Sequence, residues 1–279
     1  MSLTSVPQNI PFNIERLDLS SNQLTTLPEN VFARNENIKT LNLGRNQIKE
    51  LPQNVFSPLT NIERLYLYNN QISAVRPGTF DNLFYLESLQ LSNNKLQTLP
   101  PKIFDQVSNL KYLSLQGNAI TSLPDKLFDR LYLLKRLQLS NNELTYLQSG
   151  IFNGLASLEY LTLTHNKLSE LQDGVFAGLS RVERLVIHNN NIATVGNTLL
   201  NDLTSLKMLD VRYNRISSLP RGFLSSLRYD KIRNVKLSNN PLACSCQLYQ
   251  EIQRLKRKVW GNCDDNVRMS LMTTQSYCT

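Results

Sequence analysis

An α/β solenoid is the fold this sequence predicts, curving into a horseshoe with a parallel sheet on its concave side and a helical, cysteine-bearing cap at its C-terminal end. Three observations carry that prediction. Asn22, Asn46, Asn70, Asn94, Asn118, Asn142, Asn166, Asn190 and Asn214 recur every 24 residues, and Asn240 follows after 26. Around each asparagine the apolar residues repeat one pattern, LxxLxLxxNxLxxLPxxxFxxLxx, which makes ten turns of a single unit. All four cysteines, Cys244, Cys246, Cys263 and Cys278, come after the last turn. The organisation expected is therefore a short N-terminal flank over 1–13, a repeat array over 14–239 and a cysteine-rich cap over 240–279.

Each part of the unit has a physical role. In the L-x-L core, such as Leu65 and Leu67, alternate side chains point to opposite faces of a short strand, so the leucines go inward and Arg64, Tyr66 and Tyr68 go outward. The asparagine amide both donates and accepts, which suits it to turn backbone groups that no strand partner reaches; the ten are expected to form an internal ladder. Phe32, Phe56, Phe80, Phe104, Phe128, Phe152 and Phe176 are expected to stack as a second column on the convex side. One unit alone buries too little to offset the entropy of ordering it, so each must stack on its neighbours, and the two open ends need covers. The pattern weakens at "VGNTLLNDL", where Leu199 or Leu200 must replace the phenylalanine. Phe223 then arrives one residue early, and a local distortion is expected over 196–233.

The repeat is the leucine-rich repeat pattern. Its 24-residue LPxxxF form resembles that of secreted and cell-surface proteins. After Pro241, "QLYQEIQRLKRKVW" places Leu248, Ile252, Leu255 and Val259 at helical spacing, so an amphipathic helix is expected to lay this stripe on the open end of the core. With "NPLACSC" before it, this region resembles the C-terminal flanking cap of Toll-like receptors, Slit proteins and variable lymphocyte receptors. That resemblance implies two disulfides, Cys244 with Cys263 and Cys246 with Cys278. Leu242 stands where the family usually has tryptophan, and the short span from Cys263 to Cys278 lacks the long insert common in variable lymphocyte receptors. A four-cysteine zinc site is the alternative, although structural zinc sites usually use wider C-x₂₋₄-C pairs. At the other end "LTSVPQNIP" resembles the last residues of a matching N-terminal cap without its cysteines, leaving Leu3, Val6 and Ile10 to cover the first repeat.

The outward positions of the strands are not dictated by folding, so binding chemistry is sought there. Tyr and Arg combine large contact area with a polar tip and are common interface anchors. The candidate ligand-binding residues are therefore Tyr66, Tyr68, Tyr112, Arg136, Tyr160, Arg184, Arg212 and Tyr213. The competing reading is that neighbouring Tyr and Arg side chains merely support the sheet through cross-strand contacts. His165 and His188 fall on adjacent strands, but two ligands without nearby carboxylates or cysteines fall short of a metal site.

The remaining features bound the function. Net charge is +8, of which residues 221–279 supply +6, from ten Lys or Arg against four Asp or Glu. The run Arg254, Lys256, Arg257, Lys258 reads either as a contact for an anionic glycan, headgroup or nucleic acid, or as the wet face of a helix. The charge is too localised to favour nucleic-acid sensing. No hydrolase elbow, P-loop or Cys-His constellation appears, so no enzyme, cofactor or metal is expected. No apolar run spans a bilayer and no secretory leader is visible, so any membrane attachment is expected through a segment absent from this chain. No N-x-[ST] sequon is present either, which leaves every face open to partners. The resemblance implies an extracellular recognition protein, secreted or on an ectodomain, that binds a protein or glycan ligand, including a microbial one, as innate or antigen receptors do. The alternative is an adhesion or guidance protein acting through a homodimer or a surface receptor.

Overall fold

The structure, a computed structural model, describes residues 2–243, 245–255 and 258–263. Its contacts divide the chain into two units, Met1–Glu143 and Leu144–Thr279. The first carries β1 (Arg16–Asp18), β2 (Thr40–Asn42), β3 (Arg64–Tyr66), β4 (Ser88–Gln90), β5 (Tyr112–Ser114) and β6 (Arg136–Gln138), each pairing in parallel with the next. The register sets leucine on leucine, from Leu17 against Leu41 to Leu113 against Leu137, so one face of every strand feeds the core.

In the second unit β7 (Tyr160–Thr162) pairs with β9 (Arg184–Val186), then β11 (Met208–Asp210), β12 (Asn234–Lys236) and β13 (Val259–Trp260), all parallel. Two-residue strands β8 (Glu170–Leu171) and β10 (Thr194–Val195) form a separate ribbon. Helix α1 covers Cys246–Leu255. Apart from β8, β10 and one 3₁₀ turn, the described return arms between strands are turns and bends.

The asparagine ladder forms in both units. Asn94 is representative: its Oδ1 accepts from the Ile72 N–H at 3.0 Å, while Nδ2 donates to the Leu67 carbonyl at 2.9 Å and the Leu91 carbonyl at 3.0 Å. The Leu67 carbonyl also accepts from Asn70, and the Leu91 carbonyl from Asn118, so each leucine carbonyl is shared by two rungs. Only a side chain of this length that both donates and accepts can do this; aspartate would set a carboxylate against two carbonyls. The residue before each rung lies in the left-handed region, with φ between 52 and 70°, from Ser21 and Arg45 through Gly117 to Tyr213 and Asn239. The phenylalanine column is buried, and Phe80, Phe104 and Phe128 stack at 6.3 Å with nearly parallel rings, as do Phe152 and Phe176 at 6.2 Å.

The ends depart from expectation in instructive ways. Val6 is buried and Ile10 half-buried, but the Leu3 side chain is exposed. Leu3 contributes backbone instead: its N–H donates to Asn22 Oδ1 at 2.8 Å, completing the first rung as Leu24 does for Asn46. At the C-terminus α1 buries Leu248, Ile252 and Leu255, but Val259 does not continue the stripe; it lies on β13, in register with Val235. Inter-strand pairing thus wins over the helical spacing.

The distortion expected over 196–233 is present. Leu199 and Leu200 are both buried in place of a phenylalanine, and a 3₁₀ turn follows over Leu224–Ser226. A buried carboxylate holds it: Glu251 of α1 accepts from the Gly222 N–H at 2.7 Å and the Leu224 N–H at 2.8 Å. Arg254 donates to the Ser225 carbonyl at 2.6 Å, and Lys258 donates to the Tyr229 carbonyl at 2.7 Å with its ammonium 3.9 Å from that ring's centroid. These two members of the basic run therefore clasp the last repeat, Arg254 from an exposed position on the helix. Lys256 and Arg257 lie outside the described residues.

Candidate functional site

Because the repeats hold register, residues 24 apart stand side by side on the outward strand face. In the first unit this face brings together Tyr112 and Arg136, direct neighbours across β5 and β6, and places Tyr66 and Tyr68 on one side of the chain at β3. The four differ in what they do. The Tyr68 ring lies over the backbone of Gly44, where a Cβ would sit 2.5 Å from Cε1 and Cζ; glycine at that position is what admits the ring. The Tyr112 hydroxyl donates diagonally across the two strands to Gln138 Oε1 at 2.7 Å. Both rings therefore touch the neighbouring repeat. Tyr66 is half-buried, and Arg136 is exposed.

In the second unit Tyr160 and Arg184 are direct neighbours across β7 and β9, the tyrosine half-buried and the arginine exposed. Arg212 is not a free cation. It forms a bidentate pair with Asp210, Nε to Oδ1 at 2.9 Å and Nη2 to Oδ2 at 2.8 Å, and Asp210 is 1 % exposed, with Lys236 Nζ a further 3.9 Å from Oδ2. One aspartate thus serves two cations, and with Arg184 this face keeps a positive excess. Tyr213 is 51 % exposed and left-handed at φ 54°, a conformation that costs about 1–2 kcal/mol for an ordinary residue and that Asn or Gly occupies in most other repeats.

His165 and His188 meet edge to face at 5.7 Å, and Asn189 Nδ2 lies 3.1 Å from His165 Nε2 and 2.9 Å from His188 Nδ1. One amide nitrogen carries two hydrogens, enough for both neutral rings. Burial pushes the His188 imidazolium below its ordinary value, with the nearby Asp210 opposing and Arg212, His165 and Lys236 adding to the shift. Among the described residues no group of three or more His, Cys, Asp or Glu is placed to hold a metal ion, and no helix is long and apolar enough to cross a membrane.

Sequence reasoning missed Trp260, because the helical spacing through Val259 assigned it to the cap helix. On β13 it lies in register with Lys236, so the cap supplies one more strand and sets the chain's single tryptophan, 57 % exposed, on the same outward face. Its being the only tryptophan in the chain was the available signal. Cys246 and Cys263 each take part in a disulfide; Cys244 and Cys278 lie outside the described residues, and with them the pairing the resemblance implied.

Short leucine-bearing strands in register, an asparagine ladder and a buried phenylalanine column define a leucine-rich repeat protein. The chain belongs to that family: the leucine rich repeat family model matches residues 12–72, 60–120, 108–168, 133–192, 160–216 and 180–242. Among solved structures it is similar to a leucine-rich repeat protein of Leptospira interrogans, with 31% identity and a TM-score of 0.80 over 93% of this chain. It spans 63% of that protein's chain, less than two thirds of its length. A chain of the octameric complex of Latrophilin 3, Unc5D and FLRT2, in which FLRT2 supplies leucine-rich repeats, has a TM-score of 0.71 at 22% identity, covering 98% of this chain and 93% of that one, a likeness of fold. No curated protein sequence matches.

Proposed function

We propose that this protein is an extracellular recognition protein whose outward strand face binds a protein or glycan ligand, in the manner of innate or antigen receptors. Trp260 is the observation that carries the reading. The Trp260 backbone pairs with β12, but a side chain more than half exposed adds little to the core, and tryptophan, tyrosine and arginine are the residues that dominate binding energy at interfaces. Tyr213, Arg184 and Tyr160 extend the same chemistry in the second unit, and Tyr66 and Arg136 supply it in the first. Tyr68, Tyr112 and Arg212 hold their neighbours in place and act as supports. The extracellular setting agrees with the cysteines: Cys244 with Cys263 and Cys246 with Cys278 close the cap. Peptide mapping without reduction tests that pairing, and four reactive thiols in the native metal-free protein would end it.

The test of recognition is a screen of the purified protein against arrayed microbial surface proteins and glycans, repeated with Trp260→Ala. Hits are expected to weaken by about 2 kcal/mol, roughly thirtyfold, at an unchanged melting temperature. Hits that bind the variant equally well would overturn the reading. A concentration-dependent dimer that Trp260→Ala dissolves would replace it with adhesion through self-pairing.

A further inference from the structure

A second exposed surface lies away from the strand face, at the turns that lead into β4 and β6. In most repeats the two residues before the strand-side leucine are small or polar, such as Glu36-Asn37, Thr60-Asn61, Ser108-Asn109 and Ala156-Ser157. The asparagines there have a structural task. Asn37 donates to the Phe12 carbonyl at 3.2 Å, Asn61 to the Glu36 carbonyl at 3.0 Å and Asn109 to the Phe84 carbonyl at 2.7 Å, one rung to each preceding turn.

The asparagine is absent at Tyr85, Leu133, Ser157, Arg181 and Ser205, and two of these repeats set large apolar side chains there instead. They carry Phe84-Tyr85 and Tyr132-Leu133, all four between 46 and 60 % exposed. Leu133 has no donor to offer, and the Tyr85 hydroxyl stands at the far end of an exposed ring. Folding does not call for large exposed apolar side chains here, since they make no such hydrogen bond and expose apolar surface.

The four side chains form one patch. The repeats that bear them are two apart, so the pairs stand about 10 Å from one another, separated only by Ser108 and Asn109. Half-exposed, they present roughly 400 Å² of apolar surface, the size at which the largest patch on a monomer is often functional. Its border is acidic. Asp81, Asp105 and Asp129 stand three residues before Phe84, Ser108 and Tyr132, so they align beside the patch in successive repeats. Arg130 donates to the Tyr132 hydroxyl at 3.2 Å and sits in the field of Asp105 and Asp129, which leaves two negative charges in excess among these four.

We infer that Phe84, Tyr85, Tyr132 and Leu133 form a docking surface for a protein segment that presents apolar side chains flanked by lysine or arginine. The aromatic pairs take the apolar residues, Ser108 and Asn109 leave the shallow saddle between them, and the aspartates pair with the flanking cations. This surface works independently of the outward strand face.

The test uses a variant that restores the pattern of the intervening repeat: Phe84→Ser, Tyr85→Asn, Tyr132→Ser and Leu133→Asn together. Random-peptide display is selected on the wild-type protein, and the enriched peptides are titrated against this variant, against Asp81→Asn with Asp105→Asn and Asp129→Asn, and against Trp260→Ala. Peptides combining aromatic or aliphatic residues with Lys or Arg are expected to dominate. They are expected to lose roughly tenfold or more on the first variant and several-fold on the second, while Trp260→Ala leaves them unchanged. Peptides that bind the first variant as well as the wild type, or that are acidic, overturn the inference. So does a lower melting temperature of the first variant, which would make the four residues structural, or a wild-type dimer that the first variant dissolves, which would make the occupant a second copy of this chain.

Discussion

The regular repeats of the first unit and the last turn of the second solve the same problem, turning a chain back on itself with its polar backbone buried, by different means. Around Asn70 and Asn94 one buried side chain, repeated in each turn, meets an N–H of the preceding repeat and leucine carbonyls of its own and the preceding repeat. Around Gly222 and Leu224 the turn has lost its register, and its N–H groups are met by Glu251, 27 or more residues on, from the cap helix. The first solution repeats at every turn; the second occurs once and depends on the cap. A rung lost from the array should therefore weaken the array itself, whereas a lost clasp should loosen only its end.

The largest effect expected follows from that contrast. Asn94→Ala orphans the buried Ile72 N–H and leaves the Leu67 and Leu91 carbonyls with one amide partner each. The cost is on the order of 2–4 kcal/mol, read as a lower urea midpoint for the main transition. Glu251→Gln must set its amide hydrogens toward one of two N–H donors, for about 1–3 kcal/mol, and limited proteolysis should cut around 222–230 while the main transition moves little. Equal shifts of the main transition in both variants would erase the distinction between array and end.

Tyr213→Asn sharpens it further. Asparagine tolerates the left-handed conformation, so this variant should be more stable by about 0.5–1 kcal/mol while binding ligand less well. A variant that gains stability and keeps its ligand would show that the tyrosine is strained for no purpose.

The smallest effect concerns His188. Its folded value lies below the ordinary 6.5, so the unfolded chain takes up a proton that the folded chain resists. The stability tied to the neutral ring is therefore whole above about pH 6.5 and is lost as pH falls below it. His188→Gln should flatten the fall of the melting temperature between about pH 7 and 5, and an unchanged slope would place the sensitivity elsewhere.

Much of the fold was legible because it is periodic. Asn22 to Asn240, the L-x-L leucines and the phenylalanines through Phe176 announce their partners by spacing, since each partner holds a fixed position in its own or the adjacent turn. The outward positions of Tyr112, Arg136, Tyr160 and Arg184 were legible for the same reason. Their division of labour was not. That Tyr68 rests on Gly44, that Tyr112 reaches Gln138, or that Arg212 belongs to Asp210 depends on side-chain direction, and two residues of one column can brace or protrude with the same spacing. The cap was legible as an amphipathic stripe, but Val259 and Trp260 fit helix and strand equally well until β12 offered an unpaired edge.

By itself the sequence determined the number of turns, the residues facing inward and the ladder that joins them, because a repeated pattern lets each unit bury the next without reference to anything remote. Only the tertiary structure decided how the last turn is held, which tyrosines and arginines are left exposed, and that the chain's single tryptophan reaches the outward face. Those outcomes rest on contacts between segments that share no period, where burial and hydrogen bonding compete and the winner depends on what lies alongside.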